Sequence, residues 1–309
     1  MQDPMVELKD LSKQYGASWA VNRLSLQVPP GTLFGLLGPN GAGKSTTLKM
    51  LMGICRPTSG RANVLGLDAQ SDSLAIRRRV GFIPEDKTLY SSMRVRDFLG
   101  IYGSFYPDWN AKKASELLDH WRIKPGQRIG TLSKGTRAKL MLIAVLSRNP
   151  ELLLADEPTD GADVETVEEI LPLLVRWIGN GDRSVILCTH RLDEVERICD
   201  RIVLINLGQT VLEGDLDEIR SAYKLIQISG ASGTLPLAEI RQWPEVAEAT
   251  AEGGFARIRT CSRPDEVMQR LRAYSPAQLE IFDMNLREIY LCAVARQKGT
   301  SHGRMETLV

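Results

Sequence analysis

The feature that most constrains the fold is the nonapeptide GPNGAGKST. An apolar stretch with strand character, TLFGLLG, leads into it, and helical periodicity, GKSTTLKMLMGI, follows it. The pattern G-x-x-x-x-G-K-[ST] between a strand and a helix is typical of a loop that binds phosphate. The competing interpretation is a glycine-rich turn without function.

The residue types in this loop suit a nucleotide triphosphate. We expect Gly38, Gly41 and Gly43 to let the backbone wrap a phosphate with its N–H groups pointing inwards. Lys44 would then span the β- and γ-phosphates, and Ser45 would offer its hydroxyl to Mg²⁺. The sequence therefore predicts a site for ATP and Mg²⁺.

Strands and helices alternate from residue 1 to about 220, which predicts an α/β domain. The predicted strands are MVELKDL, RLSLQV, TLFGLLG, VGFIP, ELLLAD, SVILCTH, RIVLIN and QTVLEG. Residues 221–296 then read strand, helix, two strands, helix, strand, helix, which predicts a small α+β domain of the split β-α-β type. Residues 297–309 are predicted to form a flexible tail.

Composition excludes several classes of protein. The chain of 309 residues has 39 Lys and Arg against 38 Asp and Glu, so it has no general attraction for nucleic acid, and no nucleic-acid partner is expected. It contains no apolar run of 18 residues and no signal-peptide core, which favours a cytosolic protein. Five widely spaced cysteines without a C-x-x-C pair indicate small, mostly buried side chains.

Two adjacent acids end the apolar strand ELLLADEP. At the C-terminal edge of a parallel sheet, Asp156 and Glu157 would lie beside the phosphate loop. We expect Asp156 to hold Mg²⁺, directly or through water, and Glu157 to orient the attacking water. Capping of the next helix is the alternative.

Two aromatic side chains are further candidates. His190 ends the strand SVILCTH and is predicted to contact the γ-phosphate, with a structural histidine as the alternative. Tyr15 offers a flat platform for adenine, and a tyrosine packed in the core competes with that interpretation.

The stretch RIGTLSKGTRAKLMLIAVL places a small basic loop at the start of an apolar helix. Free backbone N–H groups, the Ser133 hydroxyl and the positive end of a helix dipole suit an anion. A helix cap by Ser133 accounts for the same residues.

Taken in order, these motifs resemble the ATP-binding subunit of an ATP-binding cassette (ABC) transporter, with the resemblance covering residues 5 to about 220. It implies a phosphate-loop NTPase core with a helical subdomain at about 84–150. LSKGT lies where this family carries its signature loop, usually Leu-Ser-Gly-Gly-Gln, and Asp163 lies on the D-loop. The nucleotide-binding residues implied are Tyr15, Gly38, Pro39, Asn40, Gly41, Ala42, Gly43, Lys44, Ser45, Thr46, Ser133 and Gly135.

Two departures from the family pattern stand out. In the signature loop, Lys134 replaces a glycine and Thr136 replaces the glutamine. In GFIPED, Glu85 aligns with a glutamine that precedes the helical subdomain, so a carboxylate joins the metal candidates Ser45 and Asp156. Either Glu85 serves as an equivalent ligand, or its charge slows hydrolysis or alters coupling to the partner.

The resemblance also implies a function. It suggests an ATPase, with Lys44, Glu157 and His190 as catalytic residues, that pairs head to tail and traps ATP between the phosphate loop of one chain and the signature loop of the other. Its partner would be a separate transmembrane permease, most like those of drug, lipid or polysaccharide exporters, which would hold it on the inner face of the membrane. The alternatives are a soluble ABC protein without a membrane partner and a phosphate-loop kinase, which LSKGT disfavours.

Overall fold

The computed structural model describes residues 3–179, 181–229, 235–252 and 255–305. The chain divides into two compact units, Met1–Thr210 and Val211–Val309. The division falls inside the tenth strand, whereas the sequence predicted a boundary at residue 220. Hydrophobic alternation indicates where a strand lies, but it does not indicate which unit's hydrophobic core the side chains of that strand join.

The elements are numbered in chain order. The strands are β1 (Val6–Tyr15), β2 (Ser18–Val28), β3 (Leu33–Leu37), β4 (Ser59–Val64), β5 (Leu67–Asp68), β6 (Val80–Ile83), β7 (Leu152–Asp156), β8 (Ser184–Thr189), β9 (Arg201–Asn206), β10 (Gln209–Asp215), β11 (Lys224–Ser229), β12 (Val246–Glu252), β13 (Phe255–Thr260) and β14 (Gln278–Asp283). The helices are α1 (Lys44–Leu51), α2 (Ser73–Arg79), α3 (Val95–Ser104), α4 (Ala111–His120), α5 (Lys134–Leu146), α6 (Val164–Ile178), α7 (Leu192–Ile198), α8 (Leu216–Ala222), α9 (Leu237–Ile240), α10 (Pro264–Arg272) and α11 (Leu286–Met305), with a 3₁₀ turn at Ile129–Thr131.

A central sheet positions the site in the first unit. Its strand order is β10-β9-β3-β8-β7-β6, and the five strands from β9 to β6 run parallel. Strands β3, β7 and β8 are buried along their whole length, which explains their continuous apolar sequences. Because these strands are parallel, their C-terminal ends meet at one edge. The predicted α/β fold with a phosphate-loop NTPase core is confirmed.

A second sheet of the first unit has the order β2-β1-β4-β5 and is antiparallel. The sequence did not predict β4 and β5 because their residues, SGRANV and LD, include few of the β-branched and aromatic types that mark a strand. Strand β4 forms where it pairs with β1 and buries Ala62 and Val64. Pairing with a neighbour therefore overrides a weak local preference.

Between β6 and β7 the chain forms α3, α4, the 3₁₀ turn and α5. Its aromatic rings lie partly in a cluster, in which Tyr102 lies 5.2 Å from Tyr106 and 6.1 Å from Trp109 between ring centroids. Tyr90 and Phe105 are instead exposed. The segment predicted as a helical subdomain thus divides its aromatic side chains between core and surface.

The second unit contains a four-stranded antiparallel sheet with the order β12-β13-β11-β14. Together with α9, α10 and α11, this is the split β-α-β arrangement that the sequence predicted. Helix α11 continues to Met305, so the segment 297–305, predicted to begin a flexible tail, is helical, and residues 306–309 lie outside the described residues. Helix propagation needs only one hydrogen bond per added residue, and α11 contains no proline to stop it.

All five cysteines are free, and four of them are buried, as the sequence predicted. None of the helices in the described part of the chain is both long and apolar enough to cross a membrane.

Candidate nucleotide site

The phosphate loop joins β3 to α1 in the way its sequence requires. Gly43 adopts φ 105°, and a Cβ there would lie 2.3 Å from the Ala20 carbonyl oxygen. At Gly38 a Cβ would lie 2.3 Å from the Ile205 carbonyl oxygen. Both contacts are far too close for any side chain, so glycine is what lets the loop close against its neighbours.

Lys44 is the first residue of α1 and is buried. Its Nζ donates to the carbonyl oxygens of Gly38 at 2.7 Å and Pro39 at 3.3 Å. The ammonium also lies 3.6 Å from Glu157 Oε1. The buried cation is therefore held at the loop by backbone oxygens and by the Glu157 carboxylate.

A cavity of about 370 Å³ opens at this loop. It is lined by Tyr15, Ala20, Asn40, Gly41, Ala42, Gly43, Lys44, Ser45, Thr46, Glu85 and Glu157. The structure therefore brings together residues from four separate stretches that the sequence singled out. The glycine-rich backbone around Lys44 suits an anion, and the carboxylates of Glu85 and Glu157 lie on the same cavity.

Asp156 and Glu157 stand at the C-terminal end of β7, as the sequence predicted. Burial raises the pKa of Asp156, a hydrogen bond from Ser45 lowers it, and the nearby carboxylates of Glu85 and Glu157 raise it further. Asp156 Oδ1 is buried without a hydrogen-bond partner. This buried acceptor has no hydrogen-bond donor, and a divalent cation next to the serine hydroxyl would satisfy it.

Glu157 and His190 meet because β7 and β8 are neighbours in the sheet. His190 follows directly on β8, and its Nδ1 lies 2.9 Å from Glu157 Oε1. The Glu157 side chain is buried, whereas that of His190 is 43% exposed. The carboxylate is thus held between an imidazole on one side and the Lys44 ammonium on the other.

Tyr15 ends β1 on the rim of this cavity and is 53% exposed. Lys13 Nζ lies 5.0 Å from the centroid of its ring. The alternative interpretation, a tyrosine packed in the core, is wrong, because an exposed ring keeps a face free for stacking. Glu85 lies on the same cavity.

Ser133 caps α5, and its hydroxyl accepts a hydrogen bond from Thr136 N at 3.1 Å. Gly135 is buried against α6, where a Cβ would lie 2.8 Å from Thr166 Oγ1. The helix-cap interpretation is therefore confirmed for Ser133. Neither residue lines the cavity at the phosphate loop of the same chain.

Four residues near the site were not found from the sequence. Lys87 Nζ donates to the Glu157 carbonyl oxygen at 2.7 Å, and Thr159 donates to the buried carboxylate of Glu194 at 2.7 Å. Arg191 holds the other oxygen of Glu194 at 2.8 Å. Their only signal was proximity in sequence to Glu85, Glu157 and His190, which does not specify where a side chain reaches.

Comparison with known proteins agrees with this geometry. A family model described as "ABC transporter" matches residues 21–160. The chain is 32% identical over 301 residues to the Nod factor export ATP-binding protein I of Rhizobium etli, which covers 94% of each chain. It is 28% identical over 287 residues to the ABC transporter ATP-binding protein YtrB of Bacillus subtilis, which covers 93% of this chain and 97% of that one.

Solved structures agree as well. The ATP-binding subunit of an ABC transporter superposes with a TM-score of 0.65 and 30% identity, which covers 70% of this chain and 92% of the other. A dimeric ATP-binding cassette bound to ADP and Pi, in a post-hydrolysis state, superposes with a TM-score of 0.62 and 26% identity over 69% of this chain and 99% of that one. The chain therefore belongs to the ABC transporter family, as one of its ATP-binding, ATP-hydrolysing subunits.

Proposed function

We propose that this chain powers an exporter by hydrolysing ATP in a head-to-tail pair, bound to a separate transmembrane permease at the inner face of the membrane. The observation that carries the catalytic part is the Glu157 carboxylate, held 2.9 Å from His190 Nδ1 and 3.6 Å from Lys44 Nζ on the phosphate-loop cavity. A carboxylate with this fixed orientation suits a general base for water.

Each residue of the site then has a role. Lys44 leaves its carbonyl partners to bind the β- and γ-phosphates, and the loop from Gly38 to Thr46 surrounds them with N–H groups. Glu157 takes the proton of the attacking water. His190 keeps the carboxylate aimed and faces the γ-phosphate. Tyr15 stacks on the adenine.

The donor set also fits Mg²⁺. Ser45 and Asp156 would hold it, with the unpartnered Oδ1 of Asp156 turned to the ion or to its water shell, and Glu85 lies on the same cavity. When bound, the ion would neutralise charge that develops on the phosphates.

The second half of the site comes from another copy or a paired subunit. Ser133 and Gly135 do not line the cavity of their own chain, yet they begin a helix of 13 residues whose positive end suits an anion. A similar cassette was solved as a dimer. Head-to-tail pairing would bring Ser133 to the γ-phosphate held by Lys44 of the other chain.

One observation supports an exporter, and a second supports a protein partner. The relatives named for Nod factor export match nearly the whole chain, second unit included. The segment from 84 to 150 exposes the rings of Tyr90 and Phe105, and exposed aromatic side chains favour protein interfaces. The cargo we propose is a drug, a lipid or a polysaccharide.

The membrane partner can be tested by purification. We expect the tagged chain, expressed in its native host, to be recovered from detergent-solubilised membranes together with one multi-span protein at a constant molar ratio. Replacing Tyr90 and Phe105 together with alanine should reduce that recovery without changing the melting temperature. A tagged chain that is recovered alone, entirely outside the membrane fraction, would contradict the proposal.

A further inference from the structure

Lys87 lies in the loop that follows β6, two residues after Glu85, and reaches the catalytic strand far away in sequence. Its Nζ donates to the Glu157 carbonyl oxygen at 2.7 Å. The side chain is half-buried, so its ammonium has left part of its water shell for this contact. A cation desolvated against a backbone oxygen is a costly arrangement unless its surroundings are negative.

Four carboxylates act on the Lys87 ammonium, and the cations Lys134 and Arg137 line the same cavity. The carboxylates that act on its ammonium are those of Asp160, Glu157, Asp156 and Glu85. Glu85, two residues before Lys87, contributes one of these negative charges. Lys87 is the cation that the same loop supplies beside it.

The backbone of Glu157 needs support. The residue adopts φ 46°, in the left-handed region that glutamate seldom occupies. Its N–H donates to the Cys188 carbonyl at 2.8 Å, and its carbonyl accepts from Asp160 N at 3.1 Å as well as from Lys87. The direction of the Glu157 side chain depends on this backbone conformation, because Cβ is fixed by it.

We propose that Lys87 is a positioning residue for hydrolysis. Its ammonium holds the Glu157 peptide and balances the charge of the surrounding carboxylates. The Glu157 carboxylate therefore stays between Lys44 and His190. The inference rests on the proposed role of Glu157 as the base. Lys87 lies outside the lining of the phosphate-loop cavity and lines another cavity together with Asp160. Its loss should therefore change turnover and not affinity.

The test compares three variants by steady-state ATPase kinetics with saturating Mg²⁺. Lys87→Met keeps the length of the side chain and removes the donor, Lys87→Arg keeps a charged donor, and Lys112→Met removes an exposed lysine of α4 as a control. For Lys87→Met we expect kcat to fall about tenfold to hundredfold, as for loss of a hydrogen bond from a charged group, and KM to stay within about twofold.

Lys87→Arg should restore most of the turnover, and Lys112→Met should match wild type. Thermal melting of each variant checks that it is folded, and if Lys87→Met melts early, Lys87→Gln replaces it. Unchanged kcat in a folded variant without the donor, or a raised KM with unchanged kcat, would overturn the inference. Glu157→Gln separates the two proposals. If turnover survives in Glu157→Gln, Glu157 is not the base. If turnover is lost in Glu157→Gln and unchanged in Lys87→Met, only the role of Lys87 is refuted.

Discussion

Two helices of the first unit begin at places that suit a phosphate, and they begin differently. Helix α1 follows Gly43, which offers no side chain to cap it, and Lys44 folds back onto the carbonyls of Gly38 and Pro39. Helix α5 follows Ser133, whose hydroxyl already accepts from Thr136 N and contacts the Thr136 hydroxyl at 2.8 Å. The start of α1 therefore has no side-chain cap, whereas the start of α5 is capped by its own serine.

The difference shows which half of the site a single chain can use. The start of α1 lacks a side-chain cap, lies on the cavity and has the Glu157 carboxylate beside it. The start of α5 has its own cap and lies outside that cavity. We therefore expect ATP to bind first at α1 of each chain, and the start of α5 to matter only when two chains meet.

The largest effect is expected at α1. Lys44→Ala should weaken ATP binding at least about a hundredfold, equivalent to about 2.7 kcal/mol, because it removes a buried ammonium from the phosphates. Fluorescent-nucleotide titration would measure it, with Lys112→Met as the control. Binding within a few fold of wild type would show that the phosphates lie elsewhere.

Glu157→Gln separates binding from chemistry at the same start. The amide keeps the shape of the side chain and cannot accept the proton of water, so turnover should fall at least about a thousandfold while ATP affinity is retained. Size-exclusion chromatography with ATP should then show a lasting dimer. Near-normal turnover and monomers at saturating ATP would reject Glu157 as the base.

Ser133→Ala tests the second start with a smaller effect. Loss of the cap should cost about 1 kcal/mol in the free energy of unfolding and leave ATP affinity of the isolated chain unchanged. The matched control is Asn110→Ala, because Asn110 caps α4 in the same way, accepting from Lys113 N at 2.9 Å. Only Ser133→Ala should weaken ATP-dependent dimerisation. Equal dimerisation of the two variants would show that Ser133 acts only as a helix cap.

The smallest effect is expected from removing most of the second unit. Every residue of the cavity lies before residue 158. Truncation after Ala222, where α8 ends, should leave ATP affinity within about threefold, or about 0.7 kcal/mol. Circular dichroism would check folding. Loss of binding in a folded truncated chain would show that the second unit supports one of the two helix starts.

The sequence predicted much of this arrangement, for physical reasons. The glycines of the phosphate loop and the acids at the end of β7 are local features whose position follows from a strand that ends at the edge of a parallel sheet. The C-terminal alternation likewise predicted the second unit. These patterns depend on neighbours in sequence or on one well-defined sheet edge.

What the sequence did not predict depends on distant partners. Strand β4 takes its conformation from pairing with β1, and Lys87 donates to a carbonyl oxygen 70 residues away. The φ of 46° at Glu157 has no sequence signal, because glutamate is not a residue that marks a turn. Side-chain reach and backbone strain are set by the packed structure.

The central claim, that the start of α5 serves the phosphate loop of another chain, is tested most directly by mixing two inactive variants. One carries Lys44→Ala and the other Ser133→Arg, with Glu157→Gln in both to prevent hydrolysis. In a dimer of either variant alone, no site combines a normal Lys44 from one chain with a normal Ser133 from the other. A mixed dimer contains one normal Lys44 facing one normal Ser133, so ATP-dependent dimerisation should partly return on a sizing column. A mixture that dimerises no better than the two variants alone would contradict the claim, because a site contained within one chain stays damaged in every combination.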